Sequence, residues 1–190
     1  MSNTNDNPAL ATDYDSVYDF FCHTVSKSGN SSAIQYMNTS MSFDKMLAEV
    51  NQMADFLLSK GIHEGSVISI VSPMIPSVMI MYLAANKIGA VCSLIDIRST
   101  STQIKALLAE ANSEVLLILD NRADNLDDII SGTSVRLVIF SSLNDYLSAN
   151  DRVFLFFYRL KNYDFATSEN NRYDLGDSKL VLWREAIDTK

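Results

Sequence analysis

A chain of 190 residues suits one domain with a short appendage and is long enough to bury roughly 70% of the surface its unfolded form exposes. Hydrophobic residues make up 47% and charged residues 20%, the balance of a soluble globular protein. Its 15 Lys and Arg against 23 Asp and Glu give a formal net charge of −8, which argues against nucleic-acid binding and disfavours anionic membrane surfaces, since both call for clustered cations.

Residues 1–15 are polar and read as a flexible arm; no basic region followed by an apolar stretch marks a secretory signal. From Ser16, the run Val17, Phe20, Phe21 and Val25 has helical spacing, and Gly29 ends it. Ala33–Met37, a turn at Asn38–Ser40 and Met41–Phe43 predict a small hairpin. Phe43, Met46, Leu47, Val50, Met53, Ala54, Leu57 and Leu58 then draw one apolar stripe along a long helix, with Ser42 placed to cap it and Gly61 to end it. Gly65 turns the chain into a β-branched strand, Val67–Val71. Pro76 opens a helix running to about Lys87, and Val91–Ile95 is the next strand. Thr100 and Gln103 form a capping-box pattern before the Ile104, Leu107, Leu108 helix. Val115–Leu119 reads as a strand, Leu126–Ile130 as a short helix and Val135–Phe140 as another strand.

Beyond these, Leu143, Tyr146, Leu147, Val153, Phe154, Phe157 and Leu160 suggest one or two amphipathic helices around Asp151. Residues 161–178 are polar and Asn-rich, and Leu180–Trp183 followed by Glu185–Ile187 reads as a strand and a helical start. The expected organisation is an arm over 1–15, an α/β unit over 16–160 and a loop with a trailing segment over 161–190. Strands apolar throughout and alternating with helices imply a three-layer α/β/α sandwich on a mainly parallel sheet, with right-handed crossovers. The apolar zone Val67–Ile95, broken by Pro73, Pro76 and Lys87, suits strand–helix–strand and not a transmembrane segment. A cytoplasmic location is expected.

The segment from Met41 to Arg98 resembles the opening third of the adenylate-forming superfamily, which includes acyl-CoA synthetases, aryl-CoA ligases and peptide adenylation domains. Ser42-Phe43-Asp44-Lys45-Met46 loosely follows that family's Thr/Ser-Tyr-x-Glu-Leu element, and Gly61-Ile62-His63-Glu64-Gly65-Ser66 its Gly-Val-x-x-Gly-Asp turn. Pro73-Met74-Ile75-Pro76 stands for Pro-Asn-x-Pro, and Lys87-Ile88-Gly89-Ala90-Val91 with Asp96-Ile97-Arg98 for Lys-x-Gly-Ala-Val and Asp-x-Arg. Ser66, Met74, Leu94 and Ile97 depart from the pattern and leave the subfamily open. As an ordered series of elements the resemblance covers residues 17–140.

The resemblance implies an AMP-forming ligase that activates a fatty or aryl carboxylic acid with ATP and passes it to CoA, using Mg. It also implies that the phosphate loop, the adenine and magnesium element and the C-terminal-domain lysine lie outside these residues. The expected catalytic, cofactor-binding and metal residues in this chain are therefore none. The expected partner is the remainder of a longer ligase chain, with self-association through exposed apolar surface such as Val153–Leu160. A stand-alone, non-catalytic α/β binding or regulatory module is the alternative.

Other chemistry is poorly served. Cys22 and Cys92 lie far apart, with Cys92 reading as a buried apolar thiol, and His23 and His63 lack ligand-spaced neighbours. Gly132-Thr133-Ser134 is too short to cradle phosphate, and Lys and Arg form no cluster along the sequence. Asp96 and Asp120 follow strands as in a phosphate-accepting receiver, but Ser72-Pro73 stands where that site needs paired acids. Met46, Met53, Met79 and Met81 read as core-filling residues, with an acyl-tunnel lining as the alternative. Phe154–Tyr158 reads as packing surface, with an interfacial membrane helix as its alternative.

Overall fold

The computed structural model describes residues 14–122, 125–153 and 179–188. Helix α1 (Val17–Ser28) starts at Ser16, whose side chain accepts from the Asp19 amide. Strands β1 (Ser32–Tyr36) and β2 (Thr39–Ser42) form the antiparallel hairpin, its turn reduced to Met37 and Asn38. Helix α2 (Phe43–Ser59) is capped by Ser42. There follow β3 (Val67–Val71), α3 (Pro76–Lys87), β4 (Val91–Leu94), α4 (Ser101–Glu110), β5 (Val115–Leu119), α5 (Leu126–Ile130) and β6 (Leu137–Ser141). After the segment 142–178 come β7 (Lys179–Leu182) and α6 (Trp183–Ile187).

The larger sheet has five strands in the order β4-β3-β5-β6-β7, and every neighbouring pair is parallel. Uninterrupted apolar strands require cover on both faces, and alternation along β5 supplies it. Val115, Leu117 and Leu119 pack towards α1, α2, α3 and α6, whereas Leu116 and Ile118 pack towards α4 and α5. The sandwich is thus three-layered, as the sequence pattern predicts. A buried hydroxyl pair, Ser69 and Ser113 at 2.6 Å, satisfies the polar groups that this apolar packing encloses.

Several local expectations change. Gly29 does end α1, but with φ −49, in the ordinary right-handed region. Its lack of a side chain matters because a Cβ there would run into the Asp44 carboxylate, whose residue donates its amide to the Gly29 carbonyl at 2.9 Å. Of the four methionines read as core, Met46, Met53 and Met81 are buried, but Met79 is 38% exposed on the outer side of α3. Strand β6 begins at Leu137 and not Val135, and the Arg136 guanidinium instead donates to the Lys60 and Gly61 carbonyls and to Glu114.

Residues 143–147 form turns and not a helix, because side chains there compete for the backbone donors. The Ser142 amide donates to Asp145 Oδ2 at 2.7 Å and the Asn144 amide to Ser142 Oγ at 3.3 Å. A helical turn does run from 149 to 153, begun by Ser148, whose Oγ accepts from the Asp151 amide. Val153 is 56% exposed, and the aromatic stretch 154–160 lies outside the described residues, as does the polar stretch 161–178. Residues 179–188, expected in a trailing segment, supply the fifth strand and, in Trp183 and Ile187, part of the core. Among the described residues no helix is long and apolar enough to cross a membrane.

Gly89 shows why the helix–strand junction after α3 carries glycine. Its φ is +74, its carbonyl accepts from the Gly65 amide at 2.9 Å, and an added Cβ would sit 3.0 Å from Glu64 Cγ. A left-handed non-glycine residue costs about 1–2 kcal/mol. Gly89→Ala is therefore expected to lower unfolding stability by about that amount in urea titration, with an unchanged m-value. A loss within the scatter of surface substitutions, about 0.5 kcal/mol, would refute this account.

Candidate functional site

In an open parallel sheet, ligands are held beyond the carboxyl ends of the strands, where the strand order reverses. Here the reversal falls between β3 and β5: β4 lies on one side of β3, and β5, β6 and β7 follow on the other. Four segments leave the sheet at this edge: Ser72–Ile75 after β3, Asp96–Arg98 after β4, Asp120–Arg122 after β5 and Ser142–Leu147 after β6.

The first of them leads into α3, where Pro76 takes the first position and Ile75 offers no side-chain cap. The Asp96 turn closes on itself. Its carboxylate accepts from the Arg98 amide at 2.9 Å and pairs with Nη2 at 2.6 Å, both side chains exposed, and this bonding pulls the Asp96 pKa down to about 2. Such an arrangement stabilises a loop and leaves little of the carboxylate for other chemistry.

Three polar atoms at this edge are different. Ser77 Oγ in the first turn of α3, Asp120 Oδ1 after β5 and Ser141 Oγ at the end of β6 are buried and have no hydrogen-bond partner among the described residues. Burying a donor or acceptor without a partner costs free energy, so these three atoms call for partners beyond the described residues.

Beside them lies a fully bonded network that the sequence reading missed. Trp183 Nε1 donates to the Tyr146 oxygen at 2.7 Å, and the Tyr146 hydroxyl donates to Glu49 Oε2 at 2.6 Å. The Arg184 guanidinium stacks on the Tyr146 ring, 4.6 Å from its centroid. Burial, together with the neighbouring Glu49, pushes the Tyr146 phenol well above its ordinary range. The network joins α2, the loop after β6 and α6. One signal was present in the sequence: Glu49 falls three residues after Met46, on the helix stripe that faces the core.

The other residues singled out from sequence do not converge. His63 is exposed in its turn, and the ring of His23 lies 5.1 Å from that of Tyr14. Cys92 is packed against the core, and burial raises its thiol to about 11. Gly132–Ser134 forms a turn. Among the described residues no three His, Cys, Asp or Glu side chains come close enough to share a metal ion.

Residues 21–153 match the sequence profile of the AMP-binding enzyme family. The chain belongs to that family. It is 34% identical over 83 residues to acetyl-coenzyme A synthetase 2 of Saccharomyces cerevisiae, covering 44% of this chain and 12% of that one. It is also 26% identical over 134 residues to novobiocin biosynthesis protein H of Streptomyces niveus, covering 70% of this chain and 22% of that one. The crystal structure of coronafacic acid ligase from Pectobacterium brasiliense superposes with a TM-score of 0.68 at 19% identity, covering 92% of this chain and 29% of that one. That likeness bears on the fold. This AMP-binding family member thus spans well under two thirds of the length of these relatives, and its parallel sheet with helices on both faces is the part that superposes on the coronafacic acid ligase.

Proposed function

We propose that this chain is the N-terminal scaffold of an AMP-forming acid–thiol ligase. The whole enzyme would activate a carboxylic acid, of fatty or aryl type, with ATP to an acyl-adenylate and pass the acyl group to CoA. What carries the reading is the family match over residues 21–153, which takes in the hairpin and the sheet from β3 to β6. The relatives include an acetyl-coenzyme A synthetase, which supports a thiol acceptor.

On this reading the chain's residues position and do not react. The parallel sheet aligns its strand ends, and the Glu49–Tyr146–Trp183 network fixes α6 against α2. Ser77, Asp120 and Ser141 are the groups that a following segment of the ligase would satisfy. Magnesium, the nucleotide phosphates and the developing charge at phosphorus need donors fixed around them, which is commonly the largest catalytic contribution. Those donors are assigned to the remainder of the ligase, and the chain by itself is expected to be inactive.

Calorimetry with ATP and magnesium, run beside a carboxylate-dependent pyrophosphate-exchange assay over short, long and aromatic acids, tests this. The expected result is no ATP binding and no exchange above background for the 190-residue chain, and both activities for a ligase that contains it. Exchange by the chain alone would overturn the assignment of the donors. A containing protein inactive with every acid in the panel would overturn the ligase reading.

A further inference from the structure

A cleft of about 140 Å³ opens between the β1–β2 hairpin, the start of α2 and the segments following β6 and β7. Among the described residues its charged lining is Lys45, Arg152 and Arg184 on one side of the charge balance and Asp145 on the other. That is a local excess of cations in a chain whose formal net charge is −8. The three cations come from segments far apart in sequence, so the fold assembles them.

Arg184 and Arg152 both act electrostatically on Asp145, and Arg184 lies over the Tyr146 ring, but none of the three cations makes a salt bridge or hydrogen bond among the described residues. The ion pairs among the described residues are Arg98–Asp96 and Arg136–Glu114, and neither Lys45, Arg152 nor Arg184 takes part. The Arg184 guanidinium carbon lies 4.6 Å from the Tyr146 ring centroid, a contact with the ring that uses none of its N–H donors in a hydrogen bond among the described residues. Thr39 also lines the cleft, and its Oγ1 is buried without a hydrogen-bond partner. Asp145, by contrast, has Oδ2 engaged by the Ser142 amide at 2.7 Å. Free donors therefore outnumber free acceptors around a small space, and what such a space lacks is an acceptor-rich anion.

We propose that this cleft binds a small free oxyanion of the phosphate class, with Arg184, Arg152, Lys45 and the Thr39 hydroxyl as its donors. A phosphate presents several acceptor oxygens at once, and a guanidinium fork meets two of them in parallel. The cleft volume of about 140 Å³ falls below the ~300 Å³ at which pockets for larger ligands begin, so it suits phosphate or pyrophosphate better than a whole nucleotide. The proposal stands apart from the ligase reading, since it rests on side chains of this chain alone.

Calorimetric titration of the 190-residue chain with sodium phosphate and with sodium pyrophosphate, at matched ionic strength, tests it. Saturable one-site binding of at least one anion is expected, and the stronger of the two identifies which oxyanion fits. Arg184→Gln and Arg152→Gln should each weaken binding about tenfold or more, the worth of a charged hydrogen-bond donor. Lys45→Gln should also weaken it, and because Lys45 is exposed at the start of α2 this variant keeps the test sound should loss of the Arg184 stack disturb folding. Lys60→Gln, about 22 Å along α2 from Lys45, should bind as the parent chain does. Absence of saturable binding with either anion would overturn the proposal. So would affinity indifferent to the cleft substitutions or lost equally in Lys60→Gln, which would mean an adventitious ion only.

Discussion

Trp183→Ala is expected to cost about 3–5 kcal/mol of unfolding stability, the range for truncating a fully buried Trp. Trp183 is 1% exposed and packs in the core that α1, α2, α3 and α6 build over the sheet. Its indole N–H also donates to Tyr146, so truncation leaves a cavity and removes a donor from a buried chain of hydrogen bonds that ends at Glu49. Because the chain has a single Trp, the variant loses its fluorescence signal, and urea unfolding is better followed by far-UV circular dichroism. Trp183→Phe separates the two contributions: it retains most of the volume and loses only the N–H, for which about 1–3 kcal/mol is expected. A loss below about 1 kcal/mol in Trp183→Ala would mean that residues 179–188 contribute little to the folded unit.

That segment also shows where the sequence stops being readable. Strands β3 and β5 were legible to the residue, because each is a run of apolar and β-branched side chains bounded by turn residues. The capping box was equally plain: Thr100 and Gln103 satisfy each other's backbone donors at the start of α4, an interaction encoded within four positions. The β7 pattern was visible too, but not its place in the sheet. Its partner β6 ends at Ser141 and β7 begins at Lys179, and a parallel pairing across such a gap leaves no local mark. Leu143, Tyr146 and Leu147 have helix-like spacing, yet Ser142 and Asp145 capture the amides that a helix would use.

The candidate site was less legible than the fold for the same reason. Lys and Arg form no cluster along the chain, but the fold brings Lys45, Arg152 and Arg184 to one cleft from α2, the helical turn after β6 and α6. Ser77, Asp120 and Ser141 looked ordinary in sequence, because only a three-dimensional structure shows a hydroxyl or carboxylate oxygen buried without a partner. The family resemblance, by contrast, was readable from the order of small elements, since its glycines and prolines mark turns and a helix start. Gly89, with φ +74, is one such position.

Leu117→Ala and Leu94→Ala make the same chemical change in the same sheet and should differ severalfold in cost. Leu117 is fully buried at the middle of β5, in register with Ile70 on β3 and Ile139 on β6. Removing its isobutyl group opens a space that neighbouring strands, held by ladders on both sides, have little freedom to fill. The expected loss is about 2–5 kcal/mol, from the transfer free energy of the lost atoms and from the residual cavity. Leu94 ends the edge strand β4, pairs only with Ile70 among the described residues and is 61% exposed, so its truncation buries and uncovers little. A change within about 0.5 kcal/mol is expected there. Urea titrations of the two variants beside the parent chain measure the difference directly. Equal losses would contradict the strand order, because they would require β4 to be as enclosed as β5.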